Sequence, residues 1–209
     1  MGVETQPEPG RRDRKKQQTR SALMSAALRL VDERGLDRVT VEEISAAVDV
    51  SSRTFFNYFA TKDDAILGDP VMAGSVVCER LLAQPPGLPI VDAVLHVFDP
   101  AIEQIQTDRE LWLLRLRVIK NNPALLPVLI TRGAVEEEQF VAAVAARAGV
   151  PADHTFPQLT AALTGAAFRT AMMRWAAAGA DGHLSDFVHE AFALLRSGLT
   201  IIHPDQEVA

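Results

Sequence analysis

Apolar side chains recur at helical spacing along most of the chain, and this periodicity limits the fold more than any other feature of the sequence. Leu23, Ala27 and Leu30 are three or four residues apart, and Gly35 follows them as a typical helix end. No stretch alternates β-branched and polar residues as a half-buried strand would. The sequence therefore predicts an all-α fold of about nine or ten helices. The longer helices are expected at roughly 71–83, 90–106, 109–121, 124–148, 155–178 and 184–202.

Two short capped helices are predicted directly after the first helix. Thr40 opens the segment VEEISAAV with a glutamate three residues later, which is the spacing of a capping box. Ser51 or Ser52 can cap the next helix, in which Phe55 and Phe59 lie one turn apart and can anchor it. Three helices joined by tight turns in this order are typical of a helix-turn-helix unit.

The second short helix carries polar side chains that suit DNA. Arginine and asparagine can make paired hydrogen bonds to guanine and adenine edges, so Arg53 and Asn57 are predicted to read bases of double-stranded DNA. Thr40, Tyr58 and Lys62 are predicted to hold phosphate oxygens. The full predicted DNA-binding set is Thr40, Ser51, Ser52, Arg53, Thr54, Asn57, Tyr58 and Lys62. The alternative is a three-helix packing unit with no role in nucleic-acid binding.

A basic cluster precedes these helices. The segment GRRDRKKQQTR contains four arginines and two lysines against one aspartate. We expect residues 1–17 to form a disordered basic arm that can lie against phosphates, with a solvated tail as the alternative. The whole chain has a net charge of −6, but DNA binding depends on a local basic patch, and the acidic remainder can face away.

Residues 39–66 read VTVEEISAAVDVSSRTFFNYFATKDDAI, and their order carries a family resemblance. The positions that carry it are Thr40, Val41, Ile44, Ala46, Ala47, Val50, Ser51, Thr54, Phe55, Phe56, Phe59, Thr61 and Lys62. This pattern closely resembles the DNA-binding segment of the tetracycline-repressor (TetR) family, and the resemblance spans residues 18–66, the predicted helix-turn-helix domain. It implies a transcriptional regulator, in the first instance a repressor, that binds a palindromic operator as a homodimer and is released by a small-molecule effector.

The sequence departs from the family pattern at a few positions. The family usually has glycine where Asp49 stands, and aspartate tolerates the left-handed backbone of such a turn better than most residues. It often has glycine where Arg53 stands, so this helix begins with an added cation. The family usually has a tyrosine at Phe56 that gives its hydroxyl to a phosphate, and Tyr58 is predicted to replace that contact.

The resemblance also implies that residues 67–209 form a ligand-binding and dimerisation domain, with the last two helices at the dimer interface. The apolar residues of 155–178 support this independently, because they form one stripe through Leu159 and Met173 and another through Phe168 and Trp175. A helix with two apolar faces is buried on both sides. The predicted dimer interface is Leu159, Ala162, Gly165, Ala166, Phe187, Ala191 and Leu195. A large monomeric core is the alternative.

The effector is expected to be a small apolar or amphipathic molecule held within residues 71–178, a segment rich in large apolar side chains. The predicted ligand-binding residues are Phe98, Ile102, Trp112, Arg115, Asn121 and Phe140. Arg115 or Asn121 would orient one polar end of the ligand. The alternatives are ordinary core packing for the apolar residues and a solvated helix face for the polar ones.

Other kinds of chemistry are not expected. The five histidines lack metal-ligand spacing, and no catalytic set or cofactor motif is present, so we predict no metal, no cofactor and no enzyme activity. The single cysteine, Cys78, forms no disulfide within the chain and is interpreted as a small core residue or a redox sensor. No apolar run is long enough for a membrane span and no secretory signal is recognised, which favours a cytoplasmic protein without a membrane partner. The alternative functions are an all-α enzyme or small-molecule-binding protein with a helix-turn-helix-like subdomain, or a DNA-binding activator.

Overall fold

The computed structural model describes residues 10–68 and 74–199, and this part of the chain is all-helical, as predicted. Its ten α-helices are α1 (Arg11–Arg34), α2 (Val41–Ala46), α3 (Ser52–Phe56), α4 (Lys62–Leu67), α5 (Gly74–Ala83), α6 (Ile90–Thr107), α7 (Arg109–Asn121), α8 (Leu126–Ala148), α9 (Thr155–Ala177) and α10 (Leu184–Arg196). Two 3-10 turns, Leu36–Arg38 and Pro123–Leu125, precede α2 and α8. The bounds of most longer helices agree with the predicted ones to within about three residues, because glycine and proline stand near many of their ends. The last helix is predicted at 184–202 but ends at Arg196, ahead of Gly198.

The first helix begins earlier than the sequence predicts. It starts at Arg11, and the Arg14 N–H donates to the carbonyl of Gly10 at 3.0 Å, so residues 11–17 are helical and not a disordered arm. Arginine, lysine and glutamine are good helix formers, and here they extend a helix whose later turns are anchored by buried residues. Residues 1–9 of the predicted 1–17 arm lie outside the described residues.

The chain divides into two compact units. Among the described residues, the first comprises residues 10–68 together with 114–128, and the second comprises residues 74–113 together with 129–199. The first division lies close to the predicted one at residues 66–67. The assignment of residues 114–128 to the first unit differs from the prediction, and two long-range contacts within that unit explain it. Arg115 Nε donates to the carbonyl of Ile66 at 3.2 Å, and Arg117 binds Asp32 through two hydrogen bonds of 2.9 and 2.8 Å.

The core of the first unit forms around α1. Leu23 and Leu28 of α1 are fully buried, and so are Ile44 of α2, Phe55 of α3 and Ile66 of α4. Each such side chain stabilises the fold by about 1.5–3 kcal/mol relative to an exposed one. These positions fix how α2 and α3 are held, which determines what α3 exposes.

The core of the second unit is built mainly from α6, α9 and α10. Phe98 of α6, Trp175 of α9 and Phe192 of α10 are its largest fully buried side chains. Ion pairs on the surface of this unit join Arg196 to Asp92 at 2.7 Å and Arg174 to Glu190 at 3.0 Å. Within residues 10–68 and 74–199, none of the helices combines the length and the apolar character that crossing a membrane requires.

Candidate nucleic-acid interface

The N-terminus of α2 is closed by the predicted capping box. The Glu43 N–H donates to Thr40 Oγ1 at 3.2 Å, and the Thr40 N–H donates to Glu43 Oε2 at 2.9 Å. That backbone hydrogen bond from Thr40 is the main reason why the pKa of Glu43 lies below its usual value, and Arg34, 3.0 Å away, contributes in the same direction. Thr40 is exposed, as a phosphate contact requires, while its side chain also stabilises the start of α2.

The turn between α2 and α3 adopts the left-handed backbone that the family comparison at Asp49 implied. Asp49 has a φ of 56°, and it is exposed. Just beyond it, the Val50 N–H donates to the carbonyl of Ser45 at 3.0 Å, which closes the turn. Aspartate is one of the few residues other than glycine that occupies this region readily, so the tight connection forms despite the substitution.

The short helix α3 is capped at one end and anchored from behind. Ser51 Oγ accepts a hydrogen bond of 3.1 Å from the Thr54 N–H, which identifies Ser51 as the cap among the two serines considered. Phe55 and Phe59 are buried with their ring centres 5.5 Å apart, as predicted. A helix of five residues is not stable alone, so these anchors set its position.

The outer surface of α3 and of the turn after it carries the remaining predicted DNA contacts. Arg53, Asn57 and Ser51 are exposed, whereas Ser52, Thr54 and Tyr58 are half-buried. An arginine and an asparagine four residues apart lie on one side of a helix, where both can enter a major groove. The structure therefore groups these predicted residues on one element, and their roles towards DNA stay predictions.

Lys62 has a structural role that the sequence analysis missed. Its Nζ donates to the carbonyls of Leu36 and Val39 at 2.6 and 2.9 Å. Those carbonyls belong to the connection between α1 and α2, where no helical N–H group is in place to donate to them. The ammonium group of Lys62 supplies the missing donor. Two of its three donors are thus used inside the protein, and the predicted phosphate contact depends on the third.

Arg20 binds the segment that follows α3, although the sequence analysis placed it only in the basic cluster. Its Nη1 donates to the carbonyl of Tyr58 at 2.7 Å, and its Cζ lies 4.2 Å from the centre of the Phe59 ring. Arg20 is three residues before the buried Leu23, so both lie on the inward side of α1. The three-residue spacing from Leu23 could have identified Arg20 as an inward-facing residue from the sequence.

The start of α1 adds positive charge to this unit. Arg12, Arg14, Lys15 and Lys16 are all exposed in its first two turns. They stand beside an N-terminal helix end, which also favours anions. These side chains fit the predicted role of a phosphate-binding basic segment, now as part of a helix.

The six predicted ligand-binding residues divide between the two units. Phe98, Ile102, Trp112 and Phe140 belong to the second unit, and Arg115 and Asn121 belong to the first. Arg115 is buried and donates to the carbonyl of Ile66, so its observed role is to bind the end of α4. Asn121 is exposed at the end of α7. The ligand-binding roles of all six residues stay predictions.

The predicted apolar ligand residues pack into the core of the second unit. Phe98 is fully buried, with its ring centre 5.2 Å from that of Phe168, 5.9 Å from that of Phe192 and 6.4 Å from that of Phe140. Trp112 is half-buried against the same cluster. Ile102 differs, because it lines a cavity of about 340 Å³ at the end of α6 and the start of α10. The other residues lining this cavity are polar: Glu103, Gln106, Thr107, His183 and Ser185.

The predicted dimer residues on α9 are accessible. Leu159 is 52% exposed, Ala162 is exposed, and Gly165 and Ala166 are half-buried. The second predicted stripe of α9, through Phe168 and Trp175, is buried in the core. On α10 the three predicted residues Phe187, Ala191 and Leu195 are half-buried, and Phe187 and Ala191 pack against the core.

The remaining chemistry-bearing groups are separate from these surfaces. The Cys78 thiol donates to the carbonyl of Gln139 at 3.2 Å, and burial raises its pKa above the usual value. In the described parts of the chain, no three histidine, cysteine, aspartate or glutamate side chains are grouped to hold a metal ion.

Comparisons with known proteins agree with the two units. Residues 23–66 match the family model of bacterial regulatory proteins of the tetR family, and residues 88–200 match that of the MftR C-terminal domain. The HTH-type transcriptional regulator TcmR of Streptomyces glaucescens is 30% identical over 174 residues, which is 80% of this chain and 77% of that protein. The solved structure of the fatty acid degradation regulator FadR from Bacillus halodurans has a similar fold, with a TM-score of 0.57 and 15% identity over 92% of this chain and 98% of that chain.

The family models together match well over half of the chain, and they agree with the helix-turn-helix order of α1 to α3 and with the helical second unit. The chain therefore belongs to the TetR family of transcriptional regulators, which are DNA-binding transcription factors and not enzymes.

Proposed function

We propose that this regulator is a repressor that binds a palindromic DNA operator as a homodimer and leaves it when a small apolar or amphipathic molecule binds the second unit. The observation that carries the proposal is the exposed pair Arg53 and Asn57 on a short helix anchored by Phe55 and Phe59. These two side chains have the hydrogen-bonding patterns that distinguish guanine and adenine in the major groove.

A DNA-binding protein also needs contacts to the phosphate backbone, which fix its position along the duplex. The capped starts of α2 and α3 can supply such contacts. Thr40 and Ser51 are exposed and cap the N-termini of α2 and α3. Hydroxyl and backbone N–H groups at helix starts can bind phosphate oxygens without regard to sequence. Together with the exposed basic start of α1, they support a role in positioning the protein on the DNA backbone.

The exposed face of α9 supports dimerisation. Leu159, Leu163 and Met173 are each more than a third exposed, and they follow helical spacing along one side of α9. An apolar stripe of this kind is costly in water and is typical of an interface. In a two-fold dimer, two recognition helices about 34–36 Å apart would meet successive major grooves of a palindrome.

The chemistry of the second unit supports an amphipathic effector. The cavity at the end of α6 has one apolar lining residue, Ile102, which belongs to the same core cluster as Phe98, and polar lining residues that include Glu103, Gln106 and His183. A ligand with one apolar and one polar end would match both parts. Release from DNA requires that this ligand bind the DNA-free form more tightly than the DNA-bound form, since only differential affinity shifts an equilibrium.

Selection of bound sequences from a random DNA pool tests the operator proposal. We expect a palindromic consensus, and we expect Arg53→Ala or Asn57→Ala to cost about 1–3 kcal/mol of binding free energy and to relax the preference at one position per half-site. Arg80→Ala is the matched control, because it removes one exposed charge from α5 without touching α3. Variants at Arg53 and Asn57 that retain the full sequence preference would contradict the assigned roles.

Sedimentation measures the proposed dimer. The 22.7 kDa chain is expected to sediment as a species of about 45 kDa. Gly165→Trp should weaken association because it adds a large ring to the proposed contact face of α9, whereas Gly133→Trp adds the same ring to an exposed position of α8. A chain that stays monomeric on DNA would contradict the proposal.

Calorimetry with acyl, aromatic and cationic compounds, combined with operator release, tests the effector class. We expect binding and release by compounds that carry an apolar portion, because apolar burial contributes about 25 cal/mol per Å². If only small, highly charged compounds bind, or if binders leave the operator affinity unchanged, the proposed switch is wrong.

A further inference from the structure

Phe56 is a large exposed apolar side chain among the residues that are proposed to contact DNA. It is 56% exposed, whereas its neighbours Phe55 and Phe59 are buried. It stands three residues after Arg53 and directly before Asn57, both of which are exposed. Singly exposed apolar residues are common, so the position of Phe56 between two proposed base readers is the informative feature.

We propose that Phe56 is a specificity-determining residue whose ring packs against the 5-methyl group of a thymine in each operator half-site. This inference rests on the proposed function, because it assumes that the outer face of α3 enters the major groove. The methyl group of thymine is the apolar feature that base pairs present in that groove, and a phenyl ring is a suitable contact for it.

The ring is held in place before DNA binds. Its plane lies at 85° to that of Phe55, with the ring centres 5.5 Å apart, in an edge-to-face arrangement. Phe55 is itself fully buried, so it offers Phe56 a fixed support. A side chain with two rotatable bonds that already rests on a rigid neighbour loses little freedom when it contacts a base.

The chemistry of the phenyl ring favours contact with a base over contact with the phosphate backbone. Phenylalanine has no donor for a phosphate oxygen, so burying it against the charged backbone would gain little and would desolvate the phosphates. Contact with a methyl group removes apolar surface from water on both partners. The position therefore favours a thymine and disfavours a cytosine, which lacks the methyl group.

Replacement of single thymines by deoxyuridine in the selected operator is the direct test, because it removes only the methyl group. One such replacement in a half-site is expected to weaken binding by the wild-type chain about fourfold, as the loss of one buried carbon implies. The same replacement in both half-sites should weaken binding about fifteenfold.

Protein variants identify the side chain that senses the methyl group. In Phe56→Ala, the effect of deoxyuridine should fall below about 1.5-fold, since the contact is already absent. Asn57→Ala is the matched control, because it lowers the overall affinity while Phe56 and its methyl preference remain. Phe56→Leu keeps an apolar contact and should retain part of the effect. Because Phe56 is exposed, these variants are expected to keep the wild-type circular dichroism spectrum, and Phe56→Ala should lower the unfolding temperature only slightly, through the lost contact with Phe55.

Several outcomes would overturn the inference while leaving the proposed function intact. These are a consensus half-site without thymine, deoxyuridine effects below about 1.5-fold at every thymine, or a deoxyuridine effect that persists unchanged in Phe56→Ala. A chain that selects no sequence at all would overturn the proposed function and this inference together, and that result appears before any deoxyuridine is introduced.

Discussion

The packing around Arg115 can be measured by replacing glycine with alanine at two helix ends, which adds one methyl group in each case. Gly68 lies against Arg115, and Gly35 serves as the control. Gly68 follows α4 with a φ of 72° and a ψ of −169°, and Gly35 follows α1 with a φ of 86° and a ψ of 155°. Both conformations lie in a region that is essentially restricted to glycine. Their surroundings differ. A Cβ at Gly68 would lie 2.7 Å from Arg115 Nη2 and 2.9 Å from its Cζ, whereas a Cβ at Gly35 would have no neighbour within 4 Å.

These distances allow the loss of unfolding free energy in each variant to be estimated. Backbone strain should cost about 1–3 kcal/mol of unfolding free energy in both Gly35→Ala and Gly68→Ala. Gly68→Ala must also displace the guanidinium group of Arg115, a residue that is only 3% exposed and that binds the carbonyl of Ile66. Overpacking of this kind adds about 1–3 kcal/mol. We therefore expect Gly68→Ala to be more destabilising than Gly35→Ala by about that amount.

Denaturant unfolding of the full-length chain at one fixed protein concentration measures the difference. Far-ultraviolet circular dichroism is the suitable signal, because it follows the helices of both units. Tryptophan fluorescence would follow only the second unit, to which both Trp112 and Trp175 belong. Combining Gly68→Ala with Arg115→Ala gives a double-mutant cycle. The added penalty at Gly68 should largely disappear when the guanidinium group is absent, which yields a coupling free energy of about 1–3 kcal/mol.

Equal destabilisation by Gly35→Ala and Gly68→Ala would refute this reasoning. It would mean that the Arg115 side chain moves aside at little cost, so that the carbonyl of Ile66 does not hold it. A penalty at Gly68 that survives Arg115→Ala would trace the effect to the backbone alone.

Three further predictions concern other named contacts. Charge reversal at either Arg117 or Asp32 should lower the unfolding temperature, and the double reversal should recover most of the loss, more clearly at low than at high salt because the pair is on the surface. The pKa of Glu43 is lowered in the fold by the Thr40 hydrogen bond, so its contribution to stability is present above the ordinary value of 4.5 and is lost as the pH falls through the lowered one. Glu43→Gln should therefore reduce the acid dependence of thermal unfolding in this range, which a pH series of melting curves checks. The raised pKa of Cys78 predicts alkylation at about pH 8 that is slower than for a free thiol, measured by mass spectrometry against glutathione.

The sequence predicted the features that depend on neighbouring residues. The Thr40 and Ser51 caps join residues three apart, and Phe55 and Phe59 are one turn apart, so spacing alone identifies them. The left-handed turn at Asp49 is also local, and the prediction at that position is confirmed.

Contacts between distant residues could not be predicted from one sequence. Arg115 reaches a carbonyl 49 residues away and Arg117 reaches an aspartate 85 residues away. An arginine beside a tryptophan looks the same in the sequence whether it binds a ligand or the end of another helix. Lys62 illustrates the same limit, because its two carbonyl partners are 23 and 26 residues before it. Local spacing carries no information about which distant backbone groups lack a partner.

The orientation of the proposed recognition helix α3 depends on α1 as much as on α3 itself. A five-residue helix has too few internal hydrogen bonds to define its own direction, so the direction comes from the groups that hold its two ends. The Ser51 cap holds the first end, and Arg20 of α1 holds the segment after the second end through the carbonyl of Tyr58 and the ring of Phe59. The side chains that face outwards between these two points, Arg53 and Phe56 among them, are consequently oriented by a residue that need not touch DNA. If α3 reads bases as proposed, changes along the inward side of α1 are expected to alter which bases are read, even when every residue of α3 is unchanged.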